Sequence, residues 1–161
     1  MIFSLEKNTG SWQKIFSILA VLCISYSVSA QIQDPVDWSY SVKKVSADTY
    51  TFTATANIEG DWHIYSQTTG KGGPVPTKIA FNKNPLVTIV GSTKETGKVQ
   101  QVYDEMFKTN VRFIGETATY TQTIKVRGGI KTNISGSVAY MVCDDRQCLP
   151  PSKKTFDLKL Q

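Results

Sequence analysis

Thr49–Ile58 reads TYTFTATANI, and its alternation decides how the rest of the chain is to be read. Tyr50, Phe52, Ala54, Ala56 and Ile58 fall on one side of an extended backbone and the threonines on the other, the pattern of a half-buried β-strand. The same period of two recurs on both sides of it. VDWSYSVKK upstream sets Val36, Trp38, Tyr40 and Val42 on one face, and ATYTQTIKV downstream does so with Tyr120, Ile124 and Val126. ISGSVAYMVC, Ile134 to Cys143, and KTFDLKL near the end repeat the pattern. Shorter candidates are Trp62 to Ser66, Lys78 to Phe81, Leu86 to Val90 and Asn110 to Ile114, bounded by turn residues such as Glu59-Gly60-Asp61 and Arg127-Gly128-Gly129. No stretch after residue 30 sustains a helical period. Eight or nine short strands with antiparallel-style alternation predict an all-β chain, an immunoglobulin-like antiparallel β-sandwich, with a barrel as second choice.

The N-terminus follows another logic. Lys7 and Lys14 precede the apolar run IFSILAVLCISYSVSA, which ends in Val28-Ser29-Ala30, the form of a signal peptide cleaved after Ala30. The run is short for a membrane span and interrupted by serine, so a retained N-terminal anchor is the lesser reading beside cleavage. Cys23 lies inside it and is expected to leave with it. The remaining Gln31–Gln161, 131 residues, suits one domain with its own core. Formal net charge falls from +5 for the whole chain to +4, with the basic residues scattered and no nucleic-acid motif among them. The charge reads as solubility, and nucleic acid is not an expected partner.

Export changes the meaning of cysteine, because disulfides persist in oxidising compartments. Cys143 and Cys148, the two that remain, sit in VAYMVCDDRQCLPP, Val138 to Pro151. Two readings stand. Most cysteine pairs of exported proteins are structural, yet a ring this small stabilises a fold by only about 2 kcal/mol on the chain-entropy model. Asp144 and Asp145 disfavour a neighbouring thiolate and Arg146 favours it, while Pro150 and Pro151 fix the chain as it leaves Cys148. A staple and a working dithiol both fit these residues. His63, the one histidine, is eighty residues from Cys143 and lacks zinc-ligand spacing, so no metal is expected. Its DWHIYSQ context reads as an aromatic strand packed on the core or on a partner. Met106 and Phe107 in VYDEMFKTNV either join the core or cover something apolar.

These residues together resemble a family, the N-terminal periplasmic domains of the thiol:disulfide interchange protein DsbD. The cysteine motif with its Leu149-Pro150-Pro151 exit carries most of the likeness, with GDWHIYSQ, GGPVPTKIAF and YDEMFK in support, and it spans Asp34 to Leu160. The resemblance implies that Cys143 and Cys148 are the redox-active pair, with Cys148 forming mixed disulfides and Cys143 resolving them. It implies a cap loop of Asp104, Glu105, Met106 and Phe107, one of the two apolar side chains covering the disulfide and an acid assisting proton transfer. His63 and Tyr65 would line the site. It also implies a protein-disulfide reductase component of the periplasm, free of metal and organic cofactor and linked to cytochrome c biogenesis. Its partners would be thioredoxin-like periplasmic proteins and a membrane-embedded electron conduit on a separate chain. The competing reading is a non-enzymatic, secreted immunoglobulin-like binding module in which the pair is a structural clip.

Overall fold

The computed structural model describes residues 33–70 and 72–161, and the signal-peptide reading falls outside them. Nine strands appear among the described residues: β1 Val36–Lys44, β2 Thr49–Ile58, β3 His63–Tyr65, β4 Lys78–Phe81, β5 Val87–Asp104, β6 Thr109–Val126, β7 Thr132–Tyr140, β8 Val142–Cys143 and β9 Ser152–Leu160. All their pairings are antiparallel. One sheet runs β1-β2-β6-β3-β8, with β5 paired along the other flank of β6, and the second runs β4-β7-β9. This is the antiparallel β-sandwich of immunoglobulin-like kind that the alternation predicts.

Alternation becomes burial in β2, where Tyr50, Phe52, Ala54, Ala56 and Ile58 are buried. Antiparallel pairing sets Tyr50, Phe52, Ala54 and Ala56 against Ile124, Gln122, Tyr120 and Ala118 of β6, so the two longest apolar faces share one inner surface. Aromatic rings join the sheets across the core. Phe52 of one sheet meets Phe156 of the other at 4.7 Å between ring centroids, and Trp38 meets Tyr140 at 5.4 Å. Such pairs add roughly 0.5–1.5 kcal/mol each beyond the area they bury. Gly136 of β7 allows the close approach of β4, since a Cβ there would stand 2.2 Å from the Ala80 carbonyl oxygen and 2.6 Å from the Phe156 ring.

Three elements differ from the alternation pattern. Leu86 to Val90 extends into the 18-residue β5, because Gly91 to Gln101 form strand without an apolar face of their own. They hydrogen-bond to β6 as an exposed edge, broken by irregularities between Val90 and Lys94 and between Gly97 and Val99. Gln122 answers the first of these. It is buried at an apolar position, where its side-chain amide donates to the Val90 carbonyl at 2.8 Å and its oxygen accepts from Thr93 at 2.9 Å. The segments Asn110 to Ile114 and Ala118 to Val126 are parts of one strand, β6. The stretch Ile134 to Cys143, which alternation reads as one strand, divides at Met141: Thr132–Tyr140 belongs to the second sheet and Val142–Cys143 crosses to the first. That crossing carries Cys143 to β3.

Candidate functional site

Cys143 and Cys148 face each other across an isolated antiparallel bridge, Cα atoms 4.1 Å apart and sulfurs at bonding distance, 2.01 Å. The ring between them is held by its own backbone. The Asp144 amide donates to the Gln147 carbonyl at 2.9 Å, and Leu149 donates to Val142 at 2.9 Å. Oδ1 of Asp144 accepts from the amides of Arg146 and Gln147 at 2.8 and 2.7 Å. These two bonds hold the Asp144 carboxyl below the usual carboxylate range, because they favour the charged form. Asp144 is therefore the local clasp of the turn, a role that polar residues take up readily wherever backbone amides converge. The Leu-Pro-Pro exit then leads to β9 in the opposite sheet, with Leu149 packed on the core.

Cys143 is 2 % exposed and Cys148 half-buried. Both belong to a small apolar cluster apart from the main core, built on Tyr65, Val111 and Cys143 with Phe107, Phe113 and Met141 packed on it. The β5–β6 hairpin brings Phe107 here. Its four-residue turn, 105–108, is tied by Oδ1 of Asp104, which accepts from the amides of Met106 at 2.8 Å and Phe107 at 3.1 Å. Phe107 meets Tyr65 edge-on at 6.3 Å, whereas Met106 is 69 % exposed at the rim. A cavity of about 630 Å³ opens between hairpin and cysteine ring. Of the residues read from the sequence, His63, Tyr65, Asp104, Glu105, Met106, Cys143 and Cys148 line it, and Phe107 packs in the cluster beside it.

β3 supplies the remaining wall. Its residue His63 is paired with Cys143 on one side and Gly115 on the other, and Tyr65 is paired with Phe113. The imidazole lies 4.4 Å from the Phe113 ring and edge-on to Tyr65 at 5.4 Å, between centroids. Burial pushes its pKa down from the usual value, opposed by the charges of Asp145, Asp104 and Asp144 and by the Asp61 carbonyl. Burial, followed by the charge of Asp104, pushes the Tyr65 phenol up to about 12, so it stays a proton donor at neutral pH. The Tyr65 carbonyl accepts from both the amide and the hydroxyl of buried Thr77, at 3.0 and 2.6 Å. Beyond it, Glu95 of β5 accepts from the Ser66 hydroxyl at 2.5 Å and the Gln67 amide at 2.8 Å.

Sequence reasoning missed Phe113, Val111 and Glu95. The first two alternate within Asn110 to Ile114, so their shared face was legible, but not the register that sets Phe113 beside Tyr65. Nothing local marks Glu95, whose partners lie 28 and 29 positions away. Among the described residues no group of three or more His, Cys, Asp or Glu is placed to hold a metal ion.

A family model described as thiol:disulfide interchange protein DsbD, N-terminal, matches residues 30–160. Among solved structures, the N-terminal periplasmic domain of ScsB from Proteus mirabilis superposes with a TM-score of 0.60 at 15% identity, over 80% of this chain and 47% of that one. The chain thus spans about half the length of that structure. The Neisseria meningitidis DsbD N-terminal domain in the reduced form superposes with a TM-score of 0.55 at 16% identity, over 79% of this chain and 89% of that one. At such identities the likeness concerns the fold. None of the curated proteins matches the chain.

Proposed function

The chain belongs to the family of DsbD N-terminal domains, which are thiol:disulfide interchange domains, and from this premise we propose that it passes reducing equivalents through Cys143 and Cys148 to partner proteins in the periplasm. The observation that carries the reading is the unequal exposure of two bonded cysteines on the wall of one cavity: Cys143 is buried and Cys148 half-buried. In the reduced domain the Cys148 thiolate attacks one sulfur of a partner's disulfide, that bond breaks, and a mixed disulfide forms. Cys143 then attacks Cys148, the mixed disulfide breaks, and the partner leaves as a dithiol with two electrons gained. The reverse sequence reloads the domain from a donor dithiol.

The hairpin serves as a cap. Phe107, packed with Tyr65 against the cysteine cluster, restricts stray thiols and oxidants, and Met106 and Glu105 stand where a docking partner meets the rim. Asp104 clasps the cap turn with its carboxylate. Thioredoxin-like proteins suit such a site because they present a disulfide at their surface. A membrane-embedded conduit is the proposed electron source, and cytochrome c maturation a proposed destination.

A Cys143→Ser variant tests the assignment. Incubated with periplasmic extract and with a purified thioredoxin-like protein in its disulfide form, it is expected to accumulate a mixed disulfide through Cys148, seen on a non-reducing gel and mapped by mass spectrometry. Trapping by Cys148→Ser instead would reverse the two roles, and trapping by neither would leave the pair a structural clip.

A further inference from the structure

His63 stands directly opposite Cys143 in the β3–β8 ladder. Directly opposed residues of an antiparallel pair carry their side chains on one face, with Cβ atoms about 4.5–5.5 Å apart. Imidazole and sulfur therefore share a face, and both line the same cavity. Phe113 at 4.4 Å and Tyr65 at 5.4 Å hold the ring from β6 and from its own strand. A side chain placed like this beside a thiol is how a weak sulfur nucleophile is commonly activated. Cys143, at 2 % exposure, meets little water to take its proton.

We propose that His63 is the base that takes the proton of Cys143 when the mixed disulfide is resolved, a role that rests on the exchange reading above. The step balances within the complex. The Cys143 thiol gives its proton to the imidazole, and the resulting thiolate attacks Cys148. The Cys143–Cys148 bond forms as the bond from Cys148 to the partner breaks, and the partner's departing thiolate takes the proton from the imidazolium. Two electrons pass from the cysteine pair to the partner, with no other oxidant or reductant.

The surroundings fit a base that is neutral before the step and charged during it. Asp61 and Tyr65 face the cavity from the β3 side, Asp104 and Glu105 from the hairpin, Glu116 from β6, and Asp144 and Asp145 from the cysteine ring. Arg146 lines a neighbouring hollow together with the two aspartates. Burial favours the uncharged imidazole, and the nearby carboxylates favour the imidazolium. The other titratable groups lining the cavity are carboxyls, tyrosines and the cysteines themselves. An imidazole is the side chain whose ordinary pKa lies nearest neutrality, where a base works best.

Stopped-flow reaction of the reduced domain with the aromatic disulfide 5,5′-dithiobis(2-nitrobenzoate) separates the two half-reactions. The first thionitrobenzoate is released when Cys148 attacks and the second when Cys143 resolves. An unassisted thiol is only a few per cent ionised at pH 7, so full base assistance is worth up to roughly 30-fold there. In His63→Gln the ratio of second-phase to first-phase rate is expected to fall on the order of ten- to thirtyfold at pH 7, and to recover above about pH 9, where the thiol ionises unaided. An unchanged ratio at pH 7 overturns the role of His63 while leaving exchange intact. Absence of the first phase overturns exchange and this inference together. The wild-type protein gives an independent reading, free of any folding defect in the variant. The wild-type second-phase rate is expected to stay level from about pH 7 to 8.5, because the imidazole already takes the thiol proton there. A rate that rises about tenfold per pH unit over that range, as unaided thiol ionisation dictates, contradicts the proposal.

Discussion

Breaking the Cys143–Cys148 bond should leave this domain folded. The two cysteines are five positions apart, so the bond closes a ring of six residues. Loop-closure entropy for such a ring amounts to about 7 cal/mol/K, or about 2 kcal/mol at 25 °C. An unfolding entropy of about 2.1 cal/mol/K per residue, over roughly 130 residues, converts that to a fall in Tm of about 8 °C. The structure argues against a larger loss, because the ring is held independently of its sulfurs. Two amides bind Asp144, Asp144 bonds Gln147, and Leu149 bonds Val142, all at 2.7 to 2.9 Å. The core of β2, β6 and the aromatic bridge between the sheets lies outside the ring altogether. Thermal and urea unfolding with and without dithiothreitol measures the difference, with Cys143→Ser/Cys148→Ser as a control for the reductant. A single cooperative transition shifted by about 8 °C or less is expected. A chain without a cooperative transition in reductant, or one that loses more than about 20 °C, would refute the estimate and make the pair a staple.

Phe107→Ala should raise the rate at which dithiothreitol reduces the pair severalfold, with a stability cost of only about 1 kcal/mol for a half-buried ring; an unchanged rate would remove Phe107 from the cap. Gly136→Ala drives a Cβ into the Ala80 carbonyl and the Phe156 ring, and should lower stability by about 3 kcal/mol, read from the urea midpoint. A midpoint within error of wild type would mean that β4 yields without cost. Burial holds the folded-state pKa of His63 below its usual value, so the unfolded chain binds the proton more readily. Stability is then full above the unfolded value of about 6.5 and declines as pH falls through it. His63→Gln should flatten that part of the profile between pH 8 and 5, and an unaltered slope would assign it to other groups.

Fold class was legible because β2, β6 and β9 each bury one face and expose the other, the condition under which alternation reports structure. Where both faces meet solvent or polar partners, the signal fades. Gly91 to Gln101 form strand through their pairing with β6 and carry no pattern to announce it. The break at Met141 was hidden for the opposite reason: Val138, Tyr140, Val142 and Cys143 are all buried, but in two different sheets. At the site, residue types and motif pointed to the cysteines, and likeness to a family grouped His63, Tyr65 and the Asp104–Phe107 loop with them. The pairing of His63 with Cys143 is a matter of register between segments eighty residues apart. Register depends on which faces meet across the sheet, and no local spacing encodes it.

If Cys143 and Cys148 exchange electrons with other proteins, the purified domain must come to equilibrium with glutathione redox buffers. Reversible interconversion is expected at a potential above about −300 mV, within reach of cellular dithiols. A potential well below that value would mark a bond that those reductants leave closed, and the pair would then be a structural clip.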